Sequence, residues 1–336
     1  MKKKALILLC IVAALLTAII VLYFWQFRTN SLLVMPEYTE SVNYNNYSQY
    51  PTVDYRYGNM AWYEYRIFGG MITVVDETGE TYTVKGISTD RKPRLQVHKA
   101  GVYYLDYEKL YCKPYQADSV PVLVLENVED FRILEKGIVF ICSNEDYEGQ
   151  LYWFDFATKT KKLIAQKTRD FFASDDCIYF ATSPGYTLYR YTDEGSEMVM
   201  ELDFKALPLQ FQLQGDNIVY KQLNDVYFAN LETGETVKVP IVDSNYMLNS
   251  VSIICGERYV YATFQANSSD GSLIFSKDDP ANGVWKIDSS TMKKTKLCDE
   301  YFNGIYLYDE SYLIGWKDNH LYRISTVDGS VEKITN

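Results

Sequence analysis

Histidine is nearly missing: His98 and His320 are the two present in 336 residues, and neither has a Cys or carboxylate pattern beside it. Zinc-type ligation and histidine-based acid–base chemistry are therefore poor first readings. The six cysteines, Cys10, Cys112, Cys142, Cys177, Cys255 and Cys298, show no CxxC spacing. Cys10 lies in the N-terminal apolar run, and the other five are an odd number that no disulfide framework uses up, with a single bridge left open. There is no Gly-rich phosphate loop, no GxSxG elbow and no HExxH motif. After residue 28 no stretch sustains a 3.6-residue period, so a separate helical domain is not expected. No metal and no cofactor are expected, and no catalytic residue can be named.

What is abundant is tyrosine, with 31 residues beside 16 Phe and 5 Trp. A broad ring fits a pleated, half-buried surface, so this composition leans all-β. Hydrophobic residues at 47% and charged ones at 23% suit a globular chain with a sizeable core. The formal charge is −11, and Lys2, Lys3, Lys4 and Arg28 all precede the first acid, Glu37, so the remainder is more acidic still. Such a surface argues against nucleic acid, whose binding needs Lys and Arg to neutralise phosphates. A protein or a small polar ligand remains open.

Residues 5–25 carry no charge and end in Tyr23, Phe24 and Trp25, behind three lysines. A run of about 20 apolar residues with interfacial aromatics and a basic leading end predicts an uncleaved single-pass signal-anchor. The expected organisation is a cytoplasmic tail over 1–4, a transmembrane helix over 5–25, a stalk over 26–51 and an extracytoplasmic domain over 52–336.

That domain repeats. An apolar residue followed by an aromatic recurs at Leu110-Tyr111, Leu151-Tyr152, Leu188-Tyr189, Val226-Tyr227, Val284-Trp285 and Leu321-Tyr322, with a degenerate copy at Met71-Ile72. The spacing is close to 40 residues except where a polar insertion, residues 267–282, lengthens one unit. Each unit resolves into four short strands. The third reads Asp130 to Leu134, Gly137 to Cys142, Gln150 to Asp155 and Lys161 to Ala165. Four antiparallel strands per 40 residues make a propeller blade, and a lone blade exposes two apolar faces that only stacking can bury. The expected fold is an all-β, seven-bladed propeller, with six to eight blades allowed.

The runs Cys177-Ile178-Tyr179-Phe180, Thr187-Leu188-Tyr189-Arg190 and Asn319-His320-Leu321-Tyr322-Arg323 resemble those of YWTD propellers of the low-density-lipoprotein-receptor type and TolB-like propellers. The chain looks similar to a bacterial propeller family of unknown function of that type. Phe154 stands where the YWTD pattern has Thr. The resemblance implies a bacterial propeller over residues 52–335, and together with the expected anchor this makes the bacterial cell membrane the expected location. It carries no activity, because a fold does not transfer one.

Polar residues on the first strands mark the central channel as a candidate ligand site: Arg56, Arg94, Gln96, His98, Asp130, Arg132, Gln210 and Gln212. Burying such groups costs several kcal/mol unless they are paired or wet. Arg56, Arg94 and Arg132 come from consecutive blades and can hold a carboxylate or phosphate together. Asp270, Asp278 and Asp279 in the insertion form a second candidate, a partner-binding loop. The functional expectation is a non-enzymatic binding or scaffold module. The alternative is an enzyme acting on glycans or small polar ligands at the channel mouth.

Overall fold

The described residues of the computed structural model are 2–28, 30–32, 52–66, 69–88, 94–116, 118–143, 149–183, 186–192, 194–202, 211–222, 225–240, 248–266 and 280–336, without the side chains of 2–6, 8, 25–27, 143, 221–222, 248–252 and 266. They form seven four-stranded antiparallel sheets over residues 53–87, 95–126, 130–166, 168–201, 211–240, 248–298 and 304–333. In every sheet the four strands are consecutive in sequence. First strands of neighbouring sheets touch except between sheets three and four, which meet through the third strand of sheet three and the first of sheet four, and the first strand of sheet seven touches that of sheet one, so the sheets are blades of a closed seven-bladed propeller. The third blade runs Asp130–Ile133, Gly137–Ser143, Gly149–Asp155 and Lys161–Gln166.

The recurring apolar–aromatic pair has a physical reason. Its apolar member, from Leu110 to Leu321, is completely buried in all six copies. Its aromatic member lies opposite an aromatic of the second strand and stacks on it in four consecutive blades. The pairs are Tyr104–Tyr111 at 5.7 Å, Phe140–Tyr152 at 5.5 Å, Phe180–Tyr189 at 5.4 Å and Tyr220–Tyr227 at 5.0 Å. Each such stack contributes about 0.5–1.5 kcal/mol beyond area burial. In blade seven the opposite residue is Gly315, and Phe302 fills the space its Cβ would need, meeting Tyr322 at 5.5 Å.

In blades one, two, three, four and six the outer strand bulges beside this pair. The bulge shows that the equivalent pair in blade one is Gly70-Met71, not Met71-Ile72. Glycine stands there because the Tyr63 ring occupies the room a side chain would take.

The outer hairpins share a second device. Asp76, Asp155, Asn230, Asp288 and Ser325 accept hydrogen bonds from backbone N–H groups two or three residues on, for instance Thr158 N to Asp155 Oδ1 at 2.7 Å and Thr233 N to Asn230 Oδ1 at 2.8 Å. Gly79, Lys159, Gly234, Met292 and Gly329 then take positive φ to close the turn.

The apolar core is divided among the blade interfaces, and its largest cluster runs through blade seven into blade one. Among the described residues no strand is exchanged between blades, and side chains close the ring. Tyr306 Oη donates to Tyr55 O at 2.6 Å, and Trp316 Nε1 to Tyr63 O at 2.9 Å. Asn319 and the Tyr65 backbone bond reciprocally at 2.7 and 2.9 Å.

Helix α1 spans Lys2–Phe27. The expectation of a transmembrane anchor over 5–25, and with it a bacterial cell-membrane location with the N-terminus cytoplasmic and the propeller outside, is not upheld. Among the described residues no helix is long and apolar enough to cross a membrane. The few described residues after the helix lie on the ring. Leu32 bridges Thr335, Ser31 and Asn336 bond each other, Asn30 Nδ2 donates to Asn319 O at 2.8 Å, and Arg66 donates to Arg28 O. This short segment therefore straps blade seven to blade one across the seam.

Candidate functional site

The first strand of each blade has a free edge toward the axis, and unpaired backbone groups there need partners. The polar residues that alternate along these strands supply them. Gln96 is fully buried. Its Nε2 donates to Phe131 O at 3.2 Å and its Oε1 accepts from Ile133 N at 2.7 Å, so the side-chain amide of blade two stands in for a strand alongside blade three. Gln212 does the same between blades five and six, with Ile253 O at 2.6 Å and Cys255 N at 2.9 Å. Asp54 Oδ2 accepts from Val97 N at 2.7 Å, joining blades one and two. These three side chains act as pins between blades.

The arginines are divided between two carboxylates. Arg56 Nε lies 3.5 Å from Asp54, while Arg94 and Arg132 share Asp130 Oδ1 at 2.7 and 2.8 Å. Arg132 also rests over the Phe171 ring of the next blade. Arg94 precedes its inner strand and Arg56 ends its own. Burial pushes the Asp54 carboxyl above its usual value, and Arg56 with two backbone N–H donors opposes the rise.

His98 is buried among the Tyr57, Tyr103 and Phe156 rings. Burial holds its pKa below the ordinary value, with Arg56 and Lys99 adding to the effect. His320 opens a third strand and contacts Thr335 Oγ1 at 3.3 Å, far in sequence and blade from His98. The six cysteines are free thiols, with Cys142 and Cys177 half-buried. Gln210, Asp270, Asp278 and Asp279 lie outside the described residues. Among the described residues no group of three or more His, Cys, Asp or Glu is placed to hold a metal ion.

Asp170 is a channel residue that sequence reasoning passed over. The dipeptide Asp-Phe at 130–131 recurs at 170–171, one blade on, and in both the carboxylate accepts the N–H of its own Phe, at 2.8 and 2.9 Å. Among the described residues Asp170 Oδ2 has no hydrogen-bond partner of good geometry, although the Phe211 N–H of the next blade helps to stabilise the carboxylate. Burial, then the nearby charge of Asp130, raises its pKa to about 8, against the pull of Arg132.

A second concave feature was also missed. A groove of about 690 Å³ opens between blades three and four, beside the turns that end their first strands. Trp153 of blade three and Tyr191 of blade four are half-buried in it, with Leu134 and Ile178 beneath. Gly137 lets the Trp153 indole lie flat on the backbone. Lys136, Lys162 and Arg190 line the groove and are exposed. Of the acids there, Glu135 pairs with Lys99 at 3.0 Å and Asp175 accepts the Glu135 N–H at 2.7 Å. No motif marks these residues, because two blades contribute them and only stacking brings them together.

No protein-family model matches the chain, and no curated protein matches it. Solved structures do. The acylaminoacyl peptidase of Pyrococcus horikoshii superposes with a TM-score of 0.57 at 13% identity, over 87% of this chain and 52% of that one. The chain thus spans about half the peptidase. The N-terminal domain of Nup159 gives 0.49 at 12% identity over 85% and 88%, and a TolB structure from Agrobacterium tumefaciens gives 0.41 at 13% over 64% and 84%. At these identities the likeness is one of fold.

Proposed function

We propose that this protein is a non-enzymatic binding propeller: a rigid ring that presents a fixed surface to a partner. One observation carries the reading. Gln96, Gln212, Asp54 and the Arg94–Asp130 pair, inner-strand groups that would have to supply a reactive centre, are engaged in holding blade to blade. Groups committed in this way rigidify the scaffold, and rigid scaffolds bind through loops and grooves between their elements. The test is in-cell crosslinking of the full chain followed by mass spectrometry. One dominant protein partner supports the reading. No partner above background, together with turnover of a substrate by the purified chain, overturns it.

A second reading rests on Asp170. A carboxyl that keeps its proton near neutrality close to a second acidic side chain, that of Asp130, is the arrangement of a general acid with a companion carboxyl group. On this reading the ring acts on a glycan at the channel mouth, and Asp170→Asn abolishes the turnover while leaving the fold intact.

A further inference from the structure

We infer that His98 makes the junction of blades one, two and three acid-labile. Its ring closes the junction as a neutral imidazole, and uptake of one proton by that ring loosens the three blades there while the rest of the propeller stays closed. This device is independent of what the ring binds.

His98 ends the first strand of blade two and is 8% exposed. Three blades meet on its imidazole. Tyr57, in the inner turn of blade one, lies at 6.2 Å, Tyr103 of blade two at 5.9 Å, and Phe156, from the outer turn of blade three, at 5.6 Å. Tyr103 and Phe156 also meet each other, 6.1 Å apart. The two ring nitrogens are unequal. Nδ1 accepts the Ala100 N–H at 3.3 Å, which assigns the proton of the neutral ring to Nε2. Nε2 is buried and has no hydrogen-bond partner among the described residues. A second proton would have to go to Nδ1, where the Ala100 N–H already points. The cationic ring therefore loses the bond that shapes its own turn and leaves a buried charge without a matching acceptor.

The surrounding charges do not compensate. Burial, then Arg56 on the first strand of blade one and the adjacent Lys99, hold His98 below the ordinary histidine range. Glu135 and Asp175, on the inner turns of blades three and four, act in the other direction. Both are engaged: Glu135 pairs with Lys99 at 3.0 Å, and Asp175 accepts the Glu135 N–H at 2.7 Å. Asp54 is engaged by Arg56 and the Val97 N–H. Burial pushes the Tyr57, Tyr103 and Tyr115 hydroxyls and the Cys112 thiol upward, so all four are neutral across the acid range. Aromatic faces attract cations, but two of the three rings already carry one. Lys99 lies 5.2 Å over Tyr57, and Lys159 5.8 Å over Phe156. Lys99 and Ala100 are exposed, so solvent protons reach the turn. The same turn presents Lys99 to Glu135 and so links blades two and three.

Because its folded-state pKa is lowered, His98 gives the junction full stability above about 6.5, the ordinary histidine value. That stability is lost as pH falls through the folded value. Asp170 acts in the opposite sense over part of this range, so local readouts are needed to separate the two.

The chain has two histidines, so its imidazole NMR spectrum holds two residues, and His320→Asn assigns them. We expect the Nε2–H tautomer of His98 at neutral pH and a midpoint below about 6.5. Amide exchange, corrected for the intrinsic rate at each pH, is followed at Val97, Ile133 and Cys255. These bond across the junctions of blades one and two, two and three, and five and six. All three should be protected at neutral pH. On acidification Val97 and Ile133 should lose protection by up to about tenfold per pH unit, the limit for one proton, and Cys255 should keep it. Two variants remove the titration. His98→Asn offers a side-chain oxygen to the Ala100 N–H, and His98→Phe refills the space between the rings; in both the acid-dependent loss should vanish. An Nδ1–H tautomer, a midpoint at or above about 6.5, equal loss at Cys255, or loss that persists in the variants would overturn the inference. The first three are read on the wild-type histidine, whether or not either variant folds.

Discussion

Replacing Gln212 tests how the ring is held together. The residue is 2% exposed, and its amide satisfies Ile253 O at 2.6 Å and Cys255 N at 2.9 Å in the next blade. Gln212→Ala removes both bonds and leaves a buried carbonyl and a buried N–H unpaired, each worth about 1–3 kcal/mol. The loss of side-chain packing adds to this, so a destabilisation of about 3–5 kcal/mol is expected. At about 2–4 °C per kcal/mol for a domain of this class, the melting temperature should fall by roughly 6–20 °C. Gln212→Glu is the sharper variant. It can still accept from Cys255 N, but when ionised it cannot donate to Ile253 O. Its deficit should therefore shrink at low pH, where the carboxyl protonates and regains a donor. Denaturant unfolding at several pH values, with Lys99→Ala as an exposed control, reads both effects. A Gln212→Ala deficit below about 0.5 kcal/mol, the range of ordinary surface changes, would refute the pinning argument.

Three further outcomes follow from the same geometry. Tyr227→Leu removes the 5.0 Å stack on Tyr220 and should cost about 0.5–1.5 kcal/mol in equilibrium unfolding. Asn319, at a φ of 65°, bonds the Tyr65 backbone across the seam. Asn319→Gly keeps the backbone geometry and loses the bridge, so limited proteolysis should find blades one and seven more open than in wild type. Asp170 ionises near pH 4 when unfolded but holds its proton to about 8 in the ring. The folded state therefore carries the extra proton between those values, and stability declines as pH rises from about 4 to about 8, then levels. Asp170→Asn should flatten that decline in a pH series of thermal melts.

The blade pattern was legible because each copy of the apolar–aromatic pair buries its Leu or Val, and in four of the six the ring stacks on the strand before. Where the cause changes, the pattern misleads. Tyr63 fills the apolar position of blade one and leaves Gly70 there, which shifts the apparent pair by one residue. The outer-turn residues, Asp76, Asp155, Asn230, Asp288 and Ser325, were equally readable as Asx-type turns but are more degenerate in sequence. The channel residues were legible as polar residues on first strands, and their partners were not. Gln96 and Gln212 look alike in any strand, and only the neighbouring blade shows that their amides cap an open sheet edge. The groove was invisible for the same reason, since Trp153 and Arg190 meet only when blades three and four stack. The N-terminal run reads as an anchor by hydropathy alone, whereas among the described residues no helix is long and apolar enough to cross a membrane.

The account stands on the claim that the inner-strand polar groups hold the ring together. The most direct measurement is amide hydrogen exchange of Val97, Ile133 and Cys255, whose N–H groups meet Asp54, Gln96 and Gln212. Pinned amides should exchange only with global unfolding in the wild type; in Gln212→Ala, Val97 and Ile133 should lose protection only by the global destabilisation, and Cys255 by more. Fast exchange of all three in the wild type would mean that they face solvent in an open channel, and would contradict the account.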